Sequence, residues 1–94
     1  MSRSGKVMLM LNVATIGQII RDERKELGLR QDELAAASGV GLRFLVELER
    51  GKPTVQMGKV LDVISALGCE LQIKGPDGMV IAGRADVPKK GEAE

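Results

Sequence analysis

Histidine, tryptophan and tyrosine are absent from these 94 residues, and cysteine and phenylalanine occur once each. Without histidine and with a lone Cys69, the usual zinc ligand sets and the Ser/His and Cys/His nucleophile pairs cannot be built within one chain. Most hydrolase chemistries go with them, and neither a metal nor an organic cofactor is expected. The lack of Trp and Tyr also removes aromatic cages and base-stacking platforms. A single cysteine forms no intrachain disulfide, which suits a reducing compartment, and Cys69 reads as a small core residue rather than a reactive thiol. Neither charge sign dominates: 14 Lys and Arg face 13 Asp and Glu, which excludes a generally polycationic protein but leaves room for a local basic face. Long apolar runs are missing too. The apolar stretch at residues 7–13 falls far short of the roughly 20 residues that span a bilayer. Although Arg3 and Lys6 precede it, no small-x-small cleavage site follows. The expectation is a cytoplasmic protein without a membrane anchor.

What is present is a globular composition, 44% hydrophobic and 29% charged, with room for one domain and one core. A chain this short buries only roughly 60% of its unfolded surface, so a subunit interface would add stability. Thr15 and Gln18 fit a capping box that starts a first helix, with Ile16, Ile19, Ile20 and Leu27 at helical spacing and Gly28 ending it. From Gln31 the pattern restarts: Leu34, Ala35 and Ala37 share a face while Asp32 and Glu33 complement the helix dipole. Ser38-Gly39-Val40-Gly41 interrupts this second helix after about two turns. A third helix places Leu45 and Leu48 inside and is closed by Gly51 and Pro53. Met57, Val60, Leu61, Ile64 and Leu67 trace a fourth, ended by Gly68. The period then changes to two. Cys69, Leu71 and Ile73 alternate with Glu70, Gln72 and Lys74, Gly75-Pro76-Asp77-Gly78 signals a turn, and residues 79–82 return as a second strand. Residues 1–14 read as an N-terminal extension, 15–68 as the helical domain, 69–82 as a hairpin for dimerisation and 83–94 as a flexible tail. Residues 7–11 either add a further strand or precede a start at Met8 or Met10.

Two short helices joined by a glycine turn after a longer helix make a helix-turn-helix arrangement. Leu34, Val40, Leu45 and Leu48 fall where crossed helices need apolar contact, Ala35 where they approach closely and Gly39 where the turn needs a permissive backbone. These positions would hold the third helix at an angle that admits it to a major groove about 12 Å wide. Its outer face then carries Leu42, Arg43, Val46 and Glu47 as candidate base readers. Arg43 suits bidentate contact with guanine, and Leu42 or Val46 suits a thymine methyl. Glu47 either accepts from cytosine or pairs with Arg43 or Arg50. Phe44 either packs partly in the core or touches sugar or a thymine methyl. Arg30, Arg50, Lys52 and Lys59 flank the same face as candidate phosphate contacts.

The segments Gln31-Asp32-Glu33-Leu34-Ala35, Gly39-Val40 and Leu48-Glu49-Arg50-Gly51-Lys52 resemble the Xre (phage-repressor-like) helix-turn-helix family over roughly residues 15–67. That resemblance implies a mainly α, λ-repressor-like bundle of four helices. It also implies a partly buried ion pair between Arg24 and Glu49 and a phosphate contact from Gln31. This chain departs from the family in carrying Arg30 and Gly41 where Ser or Thr commonly caps the second and third helices, and Ser38 in place of an apolar residue. The strand-like Leu67-Gly68-Cys69-Glu70-Leu71-Gln72-Ile73 resembles HipB-type antitoxins within the family. Those are homodimers whose C-terminal strands pair across a two-fold axis, and they bind a palindromic operator and a HipA-type kinase toxin. On that reading Leu71 and Ile73 form the dimer strand; otherwise the hairpin folds back on its own helices. The rival functions are a solitary Xre-type regulator without a toxin and a protein-binding module that has lost DNA reading. Catalysis has little support: Gly39-Val40-Gly41 lacks the third glycine of a dinucleotide fingerprint, and Gly51-Lys52 lacks the upstream glycine of a phosphate loop.

Overall fold

The computed structural model describes residues 11–82. The chain is mainly helical: α1 (Val13–Glu26), α2 (Gln31–Ser38), α3 (Leu42–Glu49) and α4 (Met57–Ala66) are followed by two short strands, β1 (Ile73–Lys74) and β2 (Val80–Ala82). The expectations for residues 1–10 and for the tail at 83–94 lie outside the described residues.

Helix α1 starts three residues earlier than the sequence pattern suggests, and its cap is a different residue. Asn12 is the N-cap: its side chain accepts from the Thr15 amide at 2.9 Å, while Thr15 Oγ1 accepts from the Asn12 amide at 3.1 Å. Thr15 is thus the last residue of the box rather than its first. Gln18, expected to reach back to Thr15, instead donates to Asp22 Oδ1 one turn ahead. Asn is as good an N-cap as Thr or better, and an Asn followed three residues later by a hydroxyl closes the same reciprocal pair. At the start of α2, Arg30 offers no oxygen to cap with, and Glu33 compensates by accepting the Arg30 amide at 2.8 Å. The turn between α2 and α3 depends on Gly39, which caps α2 at φ +73, a left-handed conformation that costs other L-residues roughly 1–2 kcal/mol.

Packing runs α1 on α3, α2 on α3 and α2 on α4. The core is wholly aliphatic: Ile20 from α1, Leu34 and Ala35 from α2, Leu45 and Leu48 from α3, and Val60, Val63, Ile64 and Leu67 from α4 and its end. Val40 and Phe44 pack against its edge. Gly17 lets α1 and α3 meet backbone to backbone, since a Cβ there would collide with the Leu48 carbonyl oxygen.

Beyond α4 the alternating segment becomes strand later than its periodicity implies. Cys69 and Leu71 pack half-buried against the helical core, and pairing begins only at Ile73. β1 and β2 pair antiparallel within the chain, Ile73 opposite Ala82 and Lys74 opposite Val80, with a break in register between them. The root of the hairpin therefore folds back on its own helices, and Leu71, expected in the strand, is spent on that packing. Ile73 remains 56% exposed. No helix among the described residues is long and apolar enough to cross a membrane.

Candidate nucleic-acid interface

The two faces of α3 divide as its 3.6-residue period requires. Leu45 and Leu48 are fully buried, while Leu42 is 48% exposed and the Arg43 side chain 89% exposed, with Val46 and Glu47 half-buried beside them. The four candidate readers thus share one outward surface.

Glu47 makes intramolecular contacts, though not with Arg50. Its carboxylate accepts from Arg43 Nε and from Lys52 Nζ, each at 3.3 Å. These contacts, the Lys52 hydrogen bond foremost, hold the Glu47 carboxyl below the usual glutamate range. The leading reader and one phosphate candidate are therefore gathered on one carboxylate. Arg30 is also committed: it pairs with Asp32 at 3.0 Å and with Glu33 at 3.4 Å, and its hydrogen bond depresses the Asp32 pKa. That local neutralisation makes Arg30 a poorer partner for phosphate than its sequence position suggests. Lys59, in the first turn of α4, lies with Nζ 5.6 Å from the Phe44 ring centroid, so α4's cation leans across the edge of α3.

Behind this surface lies the one buried ion pair among the described residues. Arg24 Nε donates to Glu49 Oε2 at 2.8 Å and Nη2 to Glu49 Oε1 at 2.9 Å, a bidentate fork. Arg24 Nη1 donates to the Leu29 carbonyl at 2.9 Å, and Gln31 Nε2 donates to Glu49 Oε1 at 3.0 Å. The hydrogen bond to Glu49 raises the Arg24 pKa further above its already high ordinary value, so the guanidinium keeps its charge. No buried side-chain polar atom among the described residues lacks a partner. One guanidinium and one carboxylate thus join α1, the loop after it, the first residue of α2 and the end of α3.

An open cleft of about 320 Å³ lies against this network, lined by Arg21, Gln31, Val46, Glu49 and Arg50. The sequence reading missed Arg21. The signal was present: Arg21 precedes Arg24 by three residues, which places both on the same side of α1. Gln31 lines the cleft, half-buried, with one amide hydrogen on Glu49. Arg50 caps α3 and is exposed. No group of acidic, cysteine or histidine side chains among the described residues is placed to hold a metal ion.

Residues 20–74 match the family described as Helix-turn-helix (HTH_3). A Sinorhizobium fredii protein named HTH-type transcriptional regulator y4mF is 60% identical over 63 residues, covering 67% of this chain and 83% of that one. A Methanothermobacter thermautotrophicus protein, also named an HTH-type transcriptional regulator, is 40% identical over 52 residues, 55% of this chain and 75% of the other. Among solved structures, the restriction-modification controller protein C.AhdI from Aeromonas hydrophila superposes with a TM-score of 0.57 at 33% identity, covering 62% of this chain and 88% of that one.

Proposed function

The chain belongs to the helix-turn-helix family of DNA-binding transcriptional regulators, and from that premise we propose that it is a repressor that binds a palindromic operator at its own promoter as a homodimer. In this reading α3 lies in the major groove, Arg43 contacts guanine, Leu42 and Val46 contact thymine methyls, and Glu47 is the candidate acceptor for cytosine. Gln31, Arg50 and Lys52 hold phosphates, with Lys59 and, more weakly, Arg30 at the margin. The observation that carries the reading is the division of α3: its inner residues are fully buried and its end is tied down by the Arg24–Glu49 fork, so its outer residues are presented on a fixed element. Arg43 must leave Glu47 to reach a base. Exposed pairs four residues apart on a helix are among the weakest ion pairs, so releasing it costs less than a bidentate guanine contact returns.

One copy offers only a handful of phosphate contacts, and two copies present α3 about one DNA turn apart. Ile73, exposed on a hairpin whose outer edges pair with no other strand among the described residues, is the candidate for joining them. A hairpin following four helices also suits a HipB-type antitoxin, so a HipA-type kinase toxin is the proposed second partner. A HipA-like kinase in the neighbouring reading frame that co-elutes with this protein supports the antitoxin form, and a solitary gene favours a plain regulator.

The test of DNA reading is a salt titration of binding to a duplex from the protein's own promoter and to a scrambled duplex. The promoter duplex binds more tightly, and affinity falls steeply with salt. Arg43→Ala relaxes base preference at one position per half-site by about 1–3 kcal/mol, whereas Lys52→Ala weakens both duplexes alike and lowers the salt slope by about one. A parent protein indifferent to sequence at every salt concentration sinks the repressor reading and favours the protein-binding module.

A further inference from the structure

We propose that the cleft between α1 and α3 is a seat for a single DNA backbone phosphate, shared by Arg21 and Arg50, with Arg21 of α1 a DNA-binding residue outside the pair of helices α2 and α3. The inference rests on the DNA-reading assignment above and extends it to α1.

Three observations carry it. The cleft is concave and lined by two arginines from different helices, Arg21 of α1 and Arg50 at the end of α3, and neither makes an ion pair among the described residues. The one acidic lining residue, Glu49, does not cancel them, because both of its oxygens are taken by Arg24. The cleft therefore carries an uncompensated double positive charge beside a neutralised pair. Its remaining polar group, the Gln31 amide, spends one Nε2 hydrogen on Glu49, which aims the amide and leaves its second hydrogen as a donor. Two guanidinium forks and an amide hydrogen form a donor set suited to a tetrahedral anion.

Position identifies the anion. Val46 lines the cleft and also belongs to the outer surface of α3, so the cleft opens at the margin of the reading surface. A duplex resting on α3 brings its backbone over that margin. The seat is then occupied only when α3 lies against DNA, and it fixes the register of α3 along the groove without reading sequence itself.

The test uses the full chain and the variants Arg21→Ala, Arg50→Ala and the double variant, with promoter and scrambled duplexes titrated with salt. Both arginines are exposed, and unchanged thermal unfolding confirms that each variant is folded. The expected result is that each single change weakens both duplexes by the same factor, and that the double variant lowers the salt slope by about one, the value for one phosphate. A slope change of about two in the double variant means two independent phosphates and overturns the shared seat. No slope change overturns the cleft as a phosphate site, and an effect confined to promoter DNA makes Arg21 a base reader instead, which also overturns it. If the parent protein shows no sequence preference, the repressor reading fails on its own, while the cleft is still decided by the slopes on scrambled DNA.

Discussion

Removing one partner of the Arg24–Glu49 pair is the most direct probe of the fold's polar interior. Glu49→Ala deletes both oxygens that receive the Arg24 fork, one of which also receives Gln31, leaving the guanidinium with the Leu29 carbonyl alone. The Arg24 side chain is 10% exposed and that of Glu49 3%, so water does not readily replace what is lost. Breaking a pair buried to this extent costs about 3–5 kcal/mol, mostly because a charge is stranded. A chain of 94 residues has a total stability of about 5–14 kcal/mol, so the variant stays folded in water unless the parent sits near the bottom of that range. The lack of Trp and Tyr rules out the usual fluorescence readout, and urea unfolding followed by helical circular dichroism at neutral pH is the assay. The midpoint of thermal unfolding falls by about 20 °C. A loss below about 1 kcal/mol would mean that water reaches the pair, and would refute the argument.

Two further predictions bear on backbone geometry and on charge. Gly17→Ala drives a methyl group into the Leu48 carbonyl and costs about 1–3 kcal/mol or more, with loss of helical signal at lower urea. Gly39→Ala meets no atom within 4 Å and pays only the left-handed strain, about 1–2 kcal/mol, so a Gly39 variant more damaging than the Gly17 variant contradicts the packing described. The depressed Glu47 pKa means that its pairing contributes above the unfolded-state pKa and is lost as pH falls through the lower folded value, leaving neutral pH unaffected. Carboxyl NMR titration should show Glu47 rising more with Lys52→Ala than with Arg43→Ala, and no change with Lys52→Ala contradicts the hydrogen bond.

Which parts of this architecture were legible in the sequence follows from the range of the forces involved. The four helices were readable because apolar spacing, a local property, decides which face each buries; Leu34, Leu45 and Leu48 are buried as their spacing requires. The start of α1 was misplaced because Thr15-Gln18 and Asn12-Thr15 both satisfy a capping box, and only the helix axis selects between them. The strand was drawn too long because period-two alternation marks residues with one face inside, and Cys69 and Leu71 obtain that face from the helices without a ladder. At the candidate site, exposure of Leu42 and Arg43 followed from the same periodicity. The sharing of Glu47 by Arg43 and Lys52 and the cleft lined by Arg21 did not, since they depend on how side chains from separate turns or helices converge.

The wholly aliphatic core also raises the question of what sets the angle of α3. Apolar contacts are non-directional, and a core of Leu, Ile and Val tolerates rotation of a helix more readily than loss of volume. The Arg24–Glu49 network is directional: a planar fork, a carbonyl and an amide meet at one place and join three helices. Stability and orientation can therefore be separated by replacing both partners with apolar residues of similar volume, Arg24→Met with Glu49→Met. Such a swap removes the stranded charge, so the double variant should be at least about 1 kcal/mol more stable than Glu49→Ala. It also frees Gln31 and the end of α3, so its preference for promoter over scrambled DNA should fall at least tenfold while helical content persists. Parental preference in a folded double variant would show that the aliphatic packing alone orients α3, and a double variant no more stable than the single would show that the stranded charge was not the cause of the loss.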